Sequence, residues 1–343
     1  MRLVVRWGSS PAGRPAGART AASAAPAVVA LTMVAALSLA ACGSDRGNGP
    51  AAGDGKAPAV GENHAPHDGF SVPPPAPLRD GEYFKTLTLP AAYTPQAPNG
   101  GTDEYRCFVL DTDLVGPAFL TGTQFLPQNP AIVHHAILFQ VAPEHAERVR
   151  QHDRDTPGQG WPCFGGAGLD GGAGSVDDAA WIGSWAPGTT EMLLAANLGY
   201  PMQASGLLVI QIHYNLLATD GRPGSDQSSI RLRLNDRTEG MTPLSTGLLF
   251  APVELPCAPT ESGPLCDRAA AVADVTKRFG AAAGAMVDRL QRFCNRGRAP
   301  AADDTQHCDH TVTAPATIHA LGAHMHLLGR SLTVELNPGR PDA

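Results

Sequence analysis

Apolar positions change texture along the chain. Residues 25–41 form an almost unbroken run of small apolar side chains, and residues 43–78 are crowded with Gly, Ala and Pro and carry few large apolar ones. From residue 83 to about 250, short apolar runs alternate with turn-rich stretches such as Ala97-Pro98-Asn99-Gly100-Gly101 and Gly221-Arg222-Pro223-Gly224, the texture of a β-sandwich. The pattern predicts strands over residues 105–110, 131–141, 207–216 and 229–234. In the last of these Ile230, Leu232 and Leu234 alternate with Arg231 and Arg233, so one face is apolar and the other charged.

Between Cys257 and Cys308 the period changes. Val272, Val275, Phe279, Met286, Leu290 and Phe293 recur mostly at steps of three and four, as on one face of a helix, with Gly280 and Gly284 as places where it could break in two. Residues 311–336 return to strand texture, and 331–336 alternate cleanly. The last 33 or so residues cannot make a second sandwich alone, because two or three strands lack the opposing sheet that would bury their apolar face. The expected division is therefore a leader over 1–41, a flexible tether over 42–78, a β-sandwich over 79–250, a cysteine-bracketed helical insert over 251–310, and an incomplete second β-sandwich over 311–343.

Composition agrees with a mainly β fold: Gly 38, Pro 31 and only 6% aromatics favour many short strands and turns. The formal net charge of -7 becomes -11 once the four arginines of residues 1–41, a segment without acids, are set aside. That excludes nucleic acid as an expected partner, and a polybasic membrane contact with it. Membrane association has another source. An Arg-bearing stretch leads into the apolar run, in the charge and length order of a secretory signal rather than a spanning helix. It ends in Leu39-Ala40-Ala41-Cys42, which resembles a bacterial lipobox; Cys42 would then be acylated, leaving the protein exported and lipid-anchored on the outer face of a bacterial membrane. The alternative is an ordinary small-residue cleavage site. His64 and His67 fall in the tether and read as solvated polar residues.

Of the 7 cysteines, Cys107, Cys163, Cys257, Cys266, Cys294 and Cys308 remain after Cys42 is assigned to the anchor. Export permits disulfides, and the preferred pairs are Cys257 with Cys266, Cys294 with Cys308, and Cys107 with Cys163. A zinc site of Cys294, His307, Cys308 and His310 is the competing use of the last pair.

Among the 12 histidines, His134-His135, His213 and His324-Met325-His326 each fall inside a predicted strand. Residues two apart on a strand share a face, so His324 and His326 can grip one ion while Met325 points away into packing. Adjacent residues point oppositely, so His134 and His135 can share an ion only if the backbone bends locally. On the face of 207–216 that holds Leu207 and Val209, the positions of Gln211, His213 and Asn215 turn polar. Imidazole-rich, thiolate-free sites suit copper, zinc, iron or nickel, and spacing does not choose among them. A zinc hydrolase of the His-x-His-x-Asp type is disfavoured by Leu328, and a cupin by the lack of a glutamate soon after His326.

The segments Asp103-Glu104-Tyr105-Arg106-Cys107, Ile132-Val133-His134-His135-Ala136-Ile137-Leu138-Phe139, Gln211-Ile212-His213-Tyr214 and His324-Met325-His326-Leu327-Leu328-Gly329-Arg330 resemble, in order, motifs of the copper type II ascorbate-dependent monooxygenases. Peptidylglycine α-hydroxylating monooxygenase and dopamine β-monooxygenase belong to this family. Trp161-Pro162-Cys163 and Trp185-Ala186-Pro187-Gly188 also look like family positions. The resemblance implies jelly-roll-like sandwiches with one copper each, facing across a solvent-filled cleft. His134, His135 and His213 would hold the copper that takes electrons from ascorbate or a similar reductant. His324 and His326 would hold the copper where dioxygen hydroxylates a C–H bond of a small organic substrate.

The family completes the second copper with a downstream methionine, and none follows His326 here. Its peptide-amidating members place an arginine two residues before the His-x-His, where this chain has Gly322, so a peptide C-terminus is not the expected substrate. The expectation is a copper-dependent monooxygenase. The alternatives are a non-catalytic copper-binding envelope lipoprotein and a structural lipoprotein whose histidines are polar core residues.

Overall fold

A computed structural model of the chain describes residues 2–8, 71–169, 179–219, 224–252, 254, 256–298, 305–325 and 329–340. The expected cleavage and anchor site at Cys42, the tether up to residue 70 with His64 and His67, and His326 lie outside the described residues. The strands in chain order are β1 (Arg2–Gly8), β2 (Glu82–Thr88), β3 (Asp103–Asp111), β4 (Ala118–Leu126), β5 (Val133–Gln140), β6 (Trp161–Pro162), β7 (Ala180–Trp185), β8 (Met192–Leu193), β9 (Leu198–Met202), β10 (Leu207–Asn215), β11 (Ser229–Asn235), β12 (Thr242–Pro243), β13 (Thr305–Thr311) and β14 (Ser331–Leu336). The helices are α1 (Ala146–Asp155), α2 (Arg268–Phe279) and α3 (Ala281–Asn295).

The protein is mainly β, built on a sandwich. A five-stranded sheet in the order β6-β3-β10-β5-β7 faces a six-stranded sheet in the order β12-β9-β4-β11-β2, with β8 paired to β4. Between them lie Phe108 and Leu110, Ala136 and Leu138, Leu208, Ile210, Ile212 and Tyr214 from the first sheet, against Leu120, Phe125, Ile230, Leu232 and Leu234 from the second. Strand β10 is buried on both faces. Its even positions enter this core, while Leu207 and Val209 join Ile137, Phe139, Trp161, Leu169 and Val149 of α1 in a second cluster. That double cover explains why the run reads as nearly continuous apolar sequence. It also means that Gln211 and His213 belong to the face away from the sandwich interior.

On the charged face of β11, Arg231 is half-buried and Arg233 is buried rather than solvated. Arg233 is fully enclosed, its guanidinium bonding Glu191 at 2.7 and 3.1 Å and Glu82 at 2.7 Å, together with the carbonyls of Ala76 and Pro77 at 2.6 and 3.1 Å. Ala76 N donates to Glu191 at 2.8 Å, and the Gln124 amide to the Pro73 carbonyl at 2.7 Å. Residues 71–78, expected as the end of the tether, are therefore a strap fastened across the six-stranded sheet. Their carbonyls, with Glu82 and Glu191, satisfy the buried arginine.

Burial acts to raise the Glu82 carboxyl, but bonds from the Arg79 side chain and backbone, Thr121 and Arg233 outweigh it and hold the pKa at about 2, against 4.5 for a free glutamate. With the folded value depressed, this stability is fully present above about 4.5 and is lost as the pH falls through about 2. It amounts to about 3 kcal/mol. Denaturant unfolding of wild type and Glu82→Gln should accordingly show a gap at pH 6 that closes towards pH 2. A gap independent of pH would rule this linkage out.

The helical insert is a hairpin. The Asp267 side chain caps α2 by accepting from Ala270 N at 2.8 Å. The break falls at Gly280, at φ +93°, and not at Gly284, which lies in the first turn of α3. A Cβ at Gly284 would sit 2.1 Å from Thr276 Oγ1, so glycine there permits the two helices to approach.

The insert ends sooner than residue 310, because Thr305–Thr311 already forms β13. Strand β1 lies between β13 and β14, antiparallel to both. Arg2–Gly8 falls in the expected leader, so processing at Cys42 would leave β13 and β14 without the strand between them. Of the described residues within 311–336, only the end of β13 and β14 are strand; His324 and Met325 lie on irregular chain, and Met325 is exposed rather than packed in a core.

The disulfides are Cys107–Cys163, Cys257–Cys266 and Cys294–Cys308, as preferred. They remove both thiolates from the competing zinc site, and His310 Nε2 instead donates to the Phe250 carbonyl at 2.7 Å. Such bonding points to an extracytoplasmic setting. Among the described residues, no helix is long and apolar enough to cross a membrane.

Candidate metal centre

The local bend that His134 and His135 need is a β-bulge. On the β5–β10 ladder His135 faces His213 and Val133 faces Tyr214, with a register shift between those pairs that leaves His134 as the extra residue. Val133 and Ala136 both enter the sandwich core, so the two histidines between them are turned out together. Because His213 lies on the same side, three imidazoles from adjacent strands meet over the five-stranded sheet. One ligand atom from each lies within 4.8 Å of the others, a grouping able to hold a metal ion.

Distances within the group suit coordination. His135 Nδ1 is 3.3 Å from His134 Nδ1 and 3.3 Å from His213 Nδ1. Tetrahedral metal–imidazole bonds of roughly 2.0 Å would separate ligand nitrogens by about 3.3 Å. A single proton on His135 can bond well to one neighbour at a time, whereas a cation satisfies all the converging lone pairs together. His213 is buried at 6% exposure, while His134 and His135 are half-buried, so the approach to the centre lies on the β5 side.

The outer contacts orient His213. Its Nε2 donates to Asp103 Oδ1 at 2.8 Å, leaving Nδ1 as the lone-pair nitrogen. Asp103 is itself held by Asn215 Nδ2 at 2.9 Å and Thr102 Oγ1 at 2.8 Å. Burial would raise its carboxyl, but bonds from His213, Thr102 and Asn215 keep it ionised with a pKa of about 2. On the β3–β10 ladder Tyr105 stands opposite His213, its ring stacked on the imidazole at 4.1 Å and 10°. Burial, with the Asp103 charge adding, pushes the Tyr105 phenol up, so it stays neutral.

Gln211, polar on the same face, is not part of the ligand group. Its amide donates to the carbonyls of Cys163 at 2.6 Å and Gly166 at 2.7 Å, pinning the loop that the Cys107–Cys163 disulfide also holds. Asp103 and Tyr105 had no assigned role from sequence. They fall in the first of the motif segments, but what they do is set by the register of β3 against β10, which puts Tyr105 opposite His213 and Asp103 opposite Asn215.

An Asp103→Asn variant should bind metal about 10- to 100-fold more weakly, as loss of a carboxylate behind a ligating histidine does. Competition titration against a chelator reads this directly. Affinity equal to wild type would remove Asp103 from the centre.

His324 lies beside this group but is not one of its three converging ligands. Its ring lies 5.4 Å from that of His135 and 6.0 Å from that of Trp181, edge-on to both. The irregular chain of His324 brings its ring beside β5, and His326, its expected partner in a second centre, lies outside the described residues. Of the other sequence landmarks, Trp161 Nε1 donates to the Ala167 carbonyl at 2.9 Å, and Trp185 packs on Phe125 in the core. No protein-family model matches the chain, and no curated protein matches it in sequence.

Proposed function

We propose that the protein is a copper-dependent monooxygenase of the ascorbate-using type, with His134, His135 and His213 holding the copper that receives electrons. The observation that carries this is the convergence of three Nδ1 atoms on a β-bulge, with His213 fixed from behind by Asp103. Copper bound there would supply one-electron redox chemistry, since imidazole suits both of its common oxidation states. The overall reaction is R–H + O2 + 2 e⁻ + 2 H⁺ → R–OH + H2O, with ascorbate or a similar small reductant giving up the electrons. The chain's own contribution is orientation: the bulge aims two imidazoles, Asp103 holds the third in one tautomer, and the half-buried side of His134 and His135 admits the reductant. An exported lipoprotein anchored through Cys42 would meet copper and its organic substrate outside the cytoplasm.

Copper-loaded protein should consume oxygen only when ascorbate and an organic substrate are both present. In His213→Ala, ascorbate should no longer bleach the Cu(II) electron paramagnetic resonance signal of this centre. Reduction at the wild-type rate in that variant, or failure of wild type to bind copper, sinks the assignment.

One observation favours a second reading, a non-catalytic copper-binding envelope lipoprotein. His324 offers another imidazole beside His135 instead of standing apart. That reading predicts one copper per chain and no substrate-dependent oxygen uptake.

A further inference from the structure

We infer that Phe279, the last residue of α2, is a positioning residue of the metal centre: with Phe164 it holds the Tyr105 ring flat against His213, so the helical hairpin tunes a metal it does not touch. The inference rests on the three-histidine group binding copper. Helical spacing marks Phe279 only as one more member of an apolar helix face. Its ring instead stacks on Phe164 at 4.6 Å and 17°, and meets Tyr105 edge-on at 5.7 Å and 81°. Phe164 meets Tyr105 edge-on as well, at 4.9 Å and 86°. Tyr105 is thus boxed by two aromatic edges while its face covers the His213 imidazole.

Each wall of the box is fastened independently. Phe164 follows Cys163, which is held by its disulfide to Cys107 in β3 and by the Gln211 amide. Phe279 precedes the positive-φ Gly280 that turns α2 into α3, and the hairpin is tied by Cys257–Cys266 before α2 and by Cys294–Cys308 from α3 to β13.

Keeping water from the Tyr105 side of His213 lowers the local dielectric around one ligand, which favours the less charged Cu(I) over Cu(II). Opening the box by removing Phe279 should therefore lower the midpoint potential. A change in solvent exclusion at one ligand is expected to move the Cu(II)/Cu(I) equilibrium by a factor of about 3 to 10, or roughly 30–60 mV for one electron.

The full chain carries the test, as Phe279→Ala, Phe279→Leu and Phe279→Tyr. Phe279→Ala should load copper to the wild-type stoichiometry, show the lowered potential and altered Cu(II) hyperfine splitting, and recover both as Phe279→Tyr. In metal-free protein, the ring-current shift that Tyr105 imposes on the His213 ring protons should shrink in Phe279→Ala. If Phe279→Ala does not fold, Phe279→Leu, which keeps apolar volume without a ring, decides by the same two readouts. Wild-type potential, splitting and ring-current shift in the folded variant would overturn the inference. Absence of copper from wild type, with the ring-current effect present, would overturn the copper reading and leave the positioning role standing.

Discussion

Deletion of His134 is expected to yield a folded sandwich with a sharply weakened capacity to bind metal. In most strands removing one residue inverts every side chain beyond it and destroys the core. Here the deleted residue is the extra one of a bulge. With it gone, Val133 and His135 become ordinary neighbours, Val133 still opposite Tyr214 and His135 still opposite His213, and the core positions Ala136 and Leu138 keep their face. Two imidazoles remain where there were three. Metal affinity should fall by more than the roughly 100-fold that loss of a supporting hydrogen bond costs, while cooperative unfolding survives. His134→Ala should give the same loss of affinity with the bulge retained. Calorimetric titration with Cu(II) beside thermal unfolding distinguishes the outcomes: an unfolded deletion variant, or one with wild-type affinity, contradicts the bulge as the device that builds the centre.

Replacing Arg233 with alanine should be the most destabilising single change in the sandwich. Glu82 and Glu191 would be left as buried carboxylates whose cationic partner has gone, and the carbonyls of Ala76 and Pro77 would lose their donor. Breaking a buried pair on one side costs about 3–5 kcal/mol. For a domain of this size that is a fall in Tm on the order of 10 °C. Arg233→Met should be nearly as severe, because the carboxylates stay. Adding Glu191→Gln to Arg233→Met should recover part of the loss, since fewer charges are then stranded. Denaturant unfolding gives the numbers, and a loss below about 1 kcal/mol for Arg233→Ala would mean that water reaches the site freely.

The two faces of β11 show how far the sequence could be read. Alternation of Ile230, Leu232 and Leu234 placed one face in the core correctly, because burial on a strand leaves a period of two. The same alternation assigned Arg231 and Arg233 to a charged face, and nothing local says that residues 71–78 fold back over it. Strap and arginine lie about 155 residues apart in the chain, with pair separations of 156 and 157 at the carbonyl contacts. Helix α1 and strand β4 were likewise missed: α1 is short and mostly charged, with Val149 its one buried side chain, and β4 mixes Thr, Gly and Gln into a buried run. At the other end of the chain, regular alternation was extrapolated through His324 and Met325, where the chain is irregular.

By itself the sequence determined a mainly β chain, its principal sandwich strands, the helical stretch with its glycine break, and the cysteine pairs joined by short loops. These follow from local chemistry: periodicity, turn residues and sequence distance are all written in consecutive positions. It also singled out His134, His135 and His213. Only the tertiary structure decided that they meet, since this depends on a one-residue register shift between β5 and β10 and on which face of β10 receives α1. The same holds for Asp103 behind His213, Tyr105 against it, and Phe279 behind Tyr105. Each of those contacts joins residues far apart in sequence through strand register and packing, and neither is a property of any one segment.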